Sequence, residues 1–421
     1  MTKSTALLNK PRAVRYMEEC RLDALIASSP VNTGYFSGYF CWLNSLLKEY
    51  MLRPGGSSSL PEIYAILTRD GQVSLIVNSI FAASAADLTD VDLHIFGAAG
   101  LDFAESPRRC EDEEILWELL SHPASCASAA EALVAVLRAG GLAGGQLGIE
   151  IDGMPRERTE ALTQAMPRAT LKNCSNLIRL IRAAKSPAEI NWLTQAAEIT
   201  ENSAMESLRL ACPGERVSDI VRHFHAQAAA AGAEFDHFAF SPRGFGIAIE
   251  SNYRLRSDDV LYIDFGCKFG HYFSDTGLTL ALTGLSQPLA RRYEALHACV
   301  VAGEAQMRPG VRASEVQKAM MDEFAAHGLE TCFPHGHGLG LEVRDYPILV
   351  PATGLPIEDD CISVSSDLPM EEGMVNNLEA FVFLPCVGSV HLERSFVVTE
   401  SGSRELTRQK RDQPYFRATD L

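Results

Sequence analysis

Two nine-residue stretches, PGERVSDIV (213–221) and PGVRASEVQ (309–317), match at a proline, a glycine, an arginine, a serine, an acid and an apolar residue, 96 residues apart. Each follows a long helical pattern and opens another, with Ser218 and Ser314 expected as N-caps. Apolar, strand-like runs follow both copies. One copy is a common helix–loop–helix arrangement; two copies in the same order of elements predict a duplicated α/β half. The halves are then expected to form a pseudo-twofold arrangement, with a functional site where they meet.

Each half ends in strands that carry two acids. In the first, VLYIDFG holds Asp264 and YFSDTGLTLALTG holds Asp275; in the second, NNLEAFVFL holds Glu379 and VHLERSFVVT holds Glu393. An ionised carboxylate inside an apolar strand is costly unless a cation faces it. A single such acid is commonly an exposed edge residue or half of a salt bridge. Four of them, two per hairpin in both halves, point to one cleft in which mutual repulsion calls for a metal. Hard divalent cations take oxygen ligands, and an imidazole commonly joins them. The stretch CFPHGHGLGLEVRDYP (332–347) offers His337 among glycines that let backbone and ring approach closely. His335 would orient a ligand, or else lie exposed on the loop.

The rest of the chain narrows the class. At 421 residues two domains are expected, 1–175 and 176–421. The boundary falls ahead of a long helix announced by Ser186, Pro187 and Glu189, an N-cap and capping box. Residues 1–175 alternate strands (LDALIAS, IYAILT, VSLIV, LHIFG, LGIEI) with helices such as SAAEALVAVLRAGG, and an Asp70-Gly71 turn marks a hairpin. This is an α/β unit without a catalytic motif. Segment 43–62 ends in a Gly/Ser/Pro loop, expected to be mobile or to cover something. With 37 basic against 54 acidic residues the formal charge is −17, which disfavours nucleic acid or an anionic membrane as partner. No signal peptide and no spanning helix are expected. Eleven cysteines without a CxxC pair suit reduced thiols of a cytosolic protein and not a zinc–thiolate site.

Asp264 and Asp275 eleven apart, GHGLGLEV, EGMVNNLEAFV and HLERSFVVTESGSREL together resemble the pita-bread metallohydrolases of peptidase family M24 (methionine aminopeptidase, prolidase, Xaa-Pro aminopeptidase, creatinase). The N-terminal unit, including SPVNTGYFSGY (29–39), is similar to the creatinase/prolidase N-domain. The resemblance implies an α/β N-terminal domain followed by an α+β pita-bread domain with internal pseudo-twofold duplication. It implies five ligands, Asp264, Asp275, His337, Glu379 and Glu393, holding two divalent ions of Mn, Fe, Co or Zn, bridged by Asp275 and Glu393. Metal-activated water would then attack a small amide or dipeptide of Xaa-Pro type, with Glu379 passing a proton to the leaving nitrogen. A homodimer is also implied, its N-domain bordering the partner's cleft.

The chain departs from that pattern at several points. DTGLT replaces Asp-x-Thr-Arg-Thr, so Leu278 stands for the arginine; EAF replaces Glu-Pro-Gly; His391 replaces the arginine two before the last glutamate. Arg344 stands where Xaa-Pro enzymes place a substrate-contacting histidine. The upstream Pro-His loop is missing, leaving only His237 in DHFAFSPRGFGIAIESNY. Arg344, His335 and His391 are therefore the substrate-side candidates. Arg344 would bind an anionic group, or else pair at the surface with Glu342 or Asp345. Cys267 and Tyr272 are placed in the turn between the two aspartates. Two further functions stay open: a retasked creatinase-like amidinohydrolase or dimethylsulfoniopropionate-lyase-like enzyme acting on a small carboxylate or zwitterion, and a non-catalytic binding protein.

Overall fold

The computed structural model describes residues 7–45, 49–55, 60–98, 100–103, 108–122, 124–241, 243–248, 252–330, 332–406 and 413–416. The contacts divide the chain into two compact units, one of Met1–Ile181 with Pro356–Val364, the other of Arg182–Leu355 with Ser365–Leu421.

The N-terminal unit is built on a mixed sheet of six strands among the described residues: β1 (Ala24–Ala27), β2 (Tyr64–Thr68), β3 (Val73–Asn78), β4 (Asp92–Phe96), β5 (Gln146–Ile149) and β6 (Thr170–Asn173), in the order β4-β3-β2-β1-β5-β6. β2 and β3 form the expected hairpin, with Gly71 of the Asp-Gly turn at φ +84°. SPVNTGYFSGY is a helix, Pro30–Ser37, capped by the Ser29 hydroxyl and ended by Gly38 at φ 77°. Glu150, nearly inaccessible, accepts from the Ser28 and Ser29 amides and from Asn32 Nδ2, which fixes the start of this helix against β5. Within segment 43–62, residues 46–48 and 56–59 lie outside the described residues.

The C-terminal unit places helices Pro187–Leu208, Val217–Ala230, Gln287–Gln306 and Ala313–Ala326 against a sheet. Its strands are β7 (Glu234–Phe240), β8 (Val260–Phe269), β9 (Tyr272–Ala281), β10 (His335–Gly338) and β11 (Asp345–Leu349). The small hairpin of β12 (Pro356–Glu358) and β13 (Ser363–Ser365) intervenes, and the chain then continues with β14 (Val375–Leu384), β15 (Gly388–Val398), β16 (Ser403–Glu405) and β17 (Tyr415–Phe416). The order is β11-β10-β14-β15-β9-β8-β7, with β16 on β15 and β17 on β9. Ser186 and Glu189 form the expected capping box on the 187–208 helix.

The duplication is visible in the hydrogen bonds. The Gly214 amide donates to the Leu255 carbonyl as Gly310 does to Met370; Val217 donates to Tyr253 as Ala313 does to Leu368; Leu255 donates to Glu215 as Met370 does to Val311. Every pair is related by offsets of 96 and 115 residues, and the 115 offset also carries Asp264 onto Glu379. The repeated helices start one residue before the expected caps. Arg216 and Arg312 occupy the N-cap positions, each held by an isolated bridge to a neighbouring segment, and Ser218 and Ser314 lie inside the first turn. Asp367 takes the capping role for the second copy, accepting from the Ser314 amide and hydroxyl.

Each half buries its own hairpin under its own helices. Leu261, Ile263, Phe265, Leu278 and Leu280 pack with Leu208, Ile220 and Phe224, whereas Leu378, Ala380, Val390 and Leu392 pack with Leu296, Val300, Met320 and Phe324. At about 1.5–3 kcal/mol for each fully buried large side chain, this alternation is strongly enforced. It sends the intervening residues of all four strands to the opposite face.

Candidate metal centre

The register gathers the chemistry-bearing residues into rows on that opposite face. Asp264 lies opposite Gly277, Gly277 opposite Glu393, Glu393 opposite Glu379, and Glu379 opposite His335. A second row runs beside it: His237 opposite Gly266, Gly266 opposite Asp275, then Ser395, whose hydroxyl donates to the Asp275 carbonyl, Asn377 and His337. A third holds Tyr262 opposite Thr279, and His391 opposite Phe381.

Within these rows ligand-type atoms converge. Three groups, His237–Asp264–Asp275, Asp275–His337–Glu393 and Glu379–His391–Glu393, each bring one nitrogen and two oxygens within 4.8 Å of one another. Asp275 is common to the first two and Glu393 to the last two, so the groups form a chain. His337 donates from Nδ1 to the Gly338 carbonyl (3.1 Å), which leaves the Nε2 lone pair toward Asp275 Oδ2 at 3.6 Å. Asn377 buttresses this arrangement: its carbonyl oxygen accepts from the His337 amide, and its Nδ2 donates to Glu393 Oε1 at 2.5 Å and lies 3.0 Å from His337 Nε2. His335 Nε2 sits 3.0 Å from Glu379 Oε2. His391 donates from Nδ1 to the Ile263 carbonyl and stacks on Tyr262 at 3.9 Å; its buried Nε2 has no hydrogen-bond partner among the described residues and faces Glu379 and Glu393 at 3.5 and 3.8 Å.

The electrostatics are those of crowded, sequestered acids. Burial pushes the Asp275 carboxyl up to about 6; His237 restrains the rise, and Asp264 and Glu379 add to it. Burial and then repulsion from Asp275, Glu379 and Asp264 push Glu393 well above the carboxylate range. Burial acts on Glu379 in the same sense, yet the imidazoles of His335 and His391 hold it below its ordinary value. Burial lowers His337 to about 4, and Arg344 adds to the fall, so the ring is neutral near pH 7, as a ligand must be. Buried carboxylates that repel, a neutral imidazole and an unpartnered ring nitrogen are a donor set that suits divalent cations.

Residues 189–400 match the family model described as Metallopeptidase family M24, and residues 11–184 match that of the Creatinase/Prolidase N-terminal domain. The chain belongs to metallopeptidase family M24. Among curated M24 relatives it is 28% identical over 278 residues to Uncharacterized peptidase YqhT of Bacillus subtilis, covering 63% of this chain and 74% of that protein. It is 26% identical over 277 residues to the Xaa-Pro dipeptidase of Pyrococcus horikoshii, covering 63% and 74%. The crystal structure of the prolidase from Pyrococcus horikoshii OT3 superposes with a TM-score of 0.68 at 21% identity, covering 96% of this chain and 98% of that one, a likeness of fold.

Against the M24 pattern, the structure brings Asp264, Asp275, His337, Glu379 and Glu393 together, with His335 and His391 among them. His391, expected beside the substrate, is fully buried in the carboxylate cluster. Arg344 is exposed and makes no ion pair among the described residues. Its expected surface partners are engaged elsewhere, Glu342 with Arg182 at 2.5 Å and Asp345 with Arg182 and Lys185 at 3.2 and 3.5 Å. Cys267 and Tyr272 belong to β8 and β9, not to the turn: the Cys267 thiol meets Thr200 at 2.6 Å and the Tyr272 hydroxyl donates to Glu189 at 3.1 Å.

Sequence reasoning gave no role to His237, Tyr262 or Asn377. The last two are part of apolar or amide runs, and only their parity with Asp264 and Glu379 marks them. In DHFAFSPRGFGIAIESNY, residues 242 and 249–251 lie outside the described residues. Two of the departures prove to be one feature. A Cβ on Gly277 would lie 1.9 Å from His391 Cε1, so the glycine inside DTGLT makes the room that the His391 ring fills.

Proposed function

We propose that this M24 chain is a metal-dependent hydrolase that cleaves Xaa-Pro dipeptides or closely related small amides. The observation that carries the reading is the chain of three ligand groups linked through Asp275 and Glu393, in a family whose curated members include Xaa-Pro dipeptidases. Asp264, Asp275, His337, Glu379 and Glu393 would hold two divalent ions of Mn, Co, Zn or Fe type, Asp275 and Glu393 each belonging to two of the ligand groups. Such ions, when bound, acidify a water and polarise the scissile carbonyl. Glu379, ionised at rest, would take a proton from the attacking water and pass it to the leaving nitrogen, with His335 Nε2 3.0 Å from its carboxylate. Asn377 positions His337 and Glu393. Arg344 has no protein partner among the described residues and lies near enough to depress the His337 pKa; it anchors the substrate carboxylate. The reading includes a cytoplasmic homodimer, which light scattering would check.

Metal-free protein reloaded with Mn, Co or Zn should hydrolyse Xaa-Pro dipeptides. Failure on every such dipeptide and small amide, with each metal, overturns the reading. A second reading, a retasked enzyme acting on a small zwitterion or carboxylate, is favoured by Arg344 and by Phe381. The Phe381 ring packs on Phe383 at 5.1 Å and near Tyr262, His335 and His391 where the pattern has a glycine. Arg344→His separates the two: a gain of dipeptidase activity supports retasking, and abolition of an existing one supports the peptidase.

A further inference from the structure

The N-terminal half of the duplication is short of nitrogen donors. Carried back by 96 residues, His335 and His337 become Ala239 and Ser241, neither of which offers an imidazole. That half nevertheless contains one, His237, two residues earlier on β7. It sits at one end of the row whose other end is His337, with Asp275 between them. Its Nε2 is 2.9 Å from Asp264 Oδ1 and 3.3 Å from Asp275 Oδ1. Two donors bound to one ion at about 2.1 Å are separated by roughly 3.0 Å in octahedral and 3.4 Å in tetrahedral geometry, so these spacings, hydrogen-bonding ones without an ion, also fit ligands sharing a cation.

Three neighbours make the placement specific. Asp236 Oδ2 meets His237 Nδ1 at 2.8 Å, which would keep the proton on Nδ1 and leave Nε2 to face a cation held between the acids, the carboxylate–histidine pairing common at metal centres. The Tyr262 hydroxyl donates to Asp264 Oδ2 at 2.9 Å, so Asp264 has one oxygen engaged and presents Oδ1 toward His237. Gly266 gives the clearance, since a Cβ there would lie 2.5 Å from His237 Cε1.

We propose that His237 is a sixth metal ligand, completing with Asp264 and Asp275 a nitrogen-containing cation site at the β7–β8–β9 end of the centre. The inference rests on the two-ion reading above. It makes both ion sites mixed N/O sites, and so shifts the β7-side site from magnesium and manganese toward cobalt and zinc.

The test is titration of metal-free protein with Co(II) and with Mn(II), followed by calorimetry and, for cobalt, visible absorption. Wild-type protein should take up two equivalents per chain. His237→Ala should keep one equivalent at wild-type affinity and bind the second at least 10- to 100-fold more weakly for Co(II). The loss for Mn(II) should be smaller, and added imidazole should restore the cobalt spectrum. His237→Gln, which retains a polar side chain of similar reach, should behave likewise and serves if the alanine variant does not fold. Two equivalents at wild-type affinity in either variant would overturn the inference while leaving the two-ion reading intact. Fewer than two equivalents in the wild type, with both metals, would instead sink that reading and the inference with it.

Discussion

Asp345 offers a test in which stability and site geometry meet. Its side chain is almost inaccessible, as are those of Arg182 and Lys185, and its Oδ2 lies 3.2 Å from Arg182 Nη2 and 3.5 Å from Lys185 Nζ. Burial alone would raise its pKa, yet Arg182 and then Lys185 hold it below the ordinary carboxylate range, so it is ionised at neutral pH. Each pair is worth about 5 kcal/mol of Coulomb attraction at an effective dielectric of about 20. Most of this offsets the desolvation of three charges. Asp345→Asn keeps the shape and removes the charge, leaving Arg182 with Glu342 and Lys185 without its carboxylate. Breaking a buried pair in this way costs about 3–5 kcal/mol. For a domain of this size each kcal/mol lowers the melting midpoint by roughly 2–4 °C, so the fall should be roughly 6–20 °C.

The assay is scanning calorimetry of metal-free wild type and variant at pH 7. A second readout follows from the register, because Asp345 pairs with Gly338, next to His337. Loosening β11 should therefore also weaken metal uptake at the His337 end. Replacing the set together, by Arg182→Met, Lys185→Met and Asp345→Leu, removes every buried charge of the trio and should recover most of the lost midpoint. A midpoint for Asp345→Asn within about 1 °C of wild type would refute the reasoning, since it would mean that the two buried cations do not depend on this carboxylate.

Three other outcomes follow from particular contacts. Burial pushes Glu189 up to about 7 against the hydrogen bonds from the Ser186 amide and the Tyr272 hydroxyl. Its folded pKa therefore lies above the unfolded 4.5. The stability this contributes is full below about pH 4.5 and is lost as pH rises through about 7, so Glu189→Gln should gain on wild type between pH 5 and 8, by up to about 3 kcal/mol, read as melting midpoint against pH. Gly277→Ala puts a methyl into the His391 ring and should cost about 1–3 kcal/mol in unfolding free energy, with weaker metal uptake. Arg344→Ala should raise KM about 10- to 100-fold for substrates with a free carboxylate, with kcat nearly unchanged. An equal effect on carboxyl-blocked substrates would count against the anchoring role.

What could be read from the chain was local, or repeated. The apolar strand runs interrupted by Asp264 and Glu379 and the double PGxRxS motif need only neighbouring residues, and they led to the hairpins, the duplication and the acids. What escaped depends on partners far away in sequence. Ser218 and Ser314 look like caps by composition, but bridges from Arg216 to Arg254 and from Arg312 to Pro369 shift the helix starts. His237 lies 27 residues ahead of Asp264, on a strand whose register contains a shift between Phe235 and His237. That irregularity, invisible to pattern reading, aims the ring at the acids.

The departures from the family pattern carry the same lesson at closer range. Taken singly, a glycine in DTGLT, a histidine for an arginine and a phenylalanine after EA each look like erosion of a catalytic signature. In the folded protein they touch: Gly277 clears space for His391, whose ring lies between Tyr262 and the Glu379–Glu393 pair and packs near Phe381. The wall they form encloses the carboxylates with an imidazole nitrogen, unpartnered among the described residues, facing them, an arrangement that still suits a cation. Coordinated replacement beside the five acid and imidazole positions expected of M24 is the arrangement the second reading, a different small substrate, would require. Arg344→His, which separates the two readings, therefore also tests whether this wall serves a dipeptide or another small substrate.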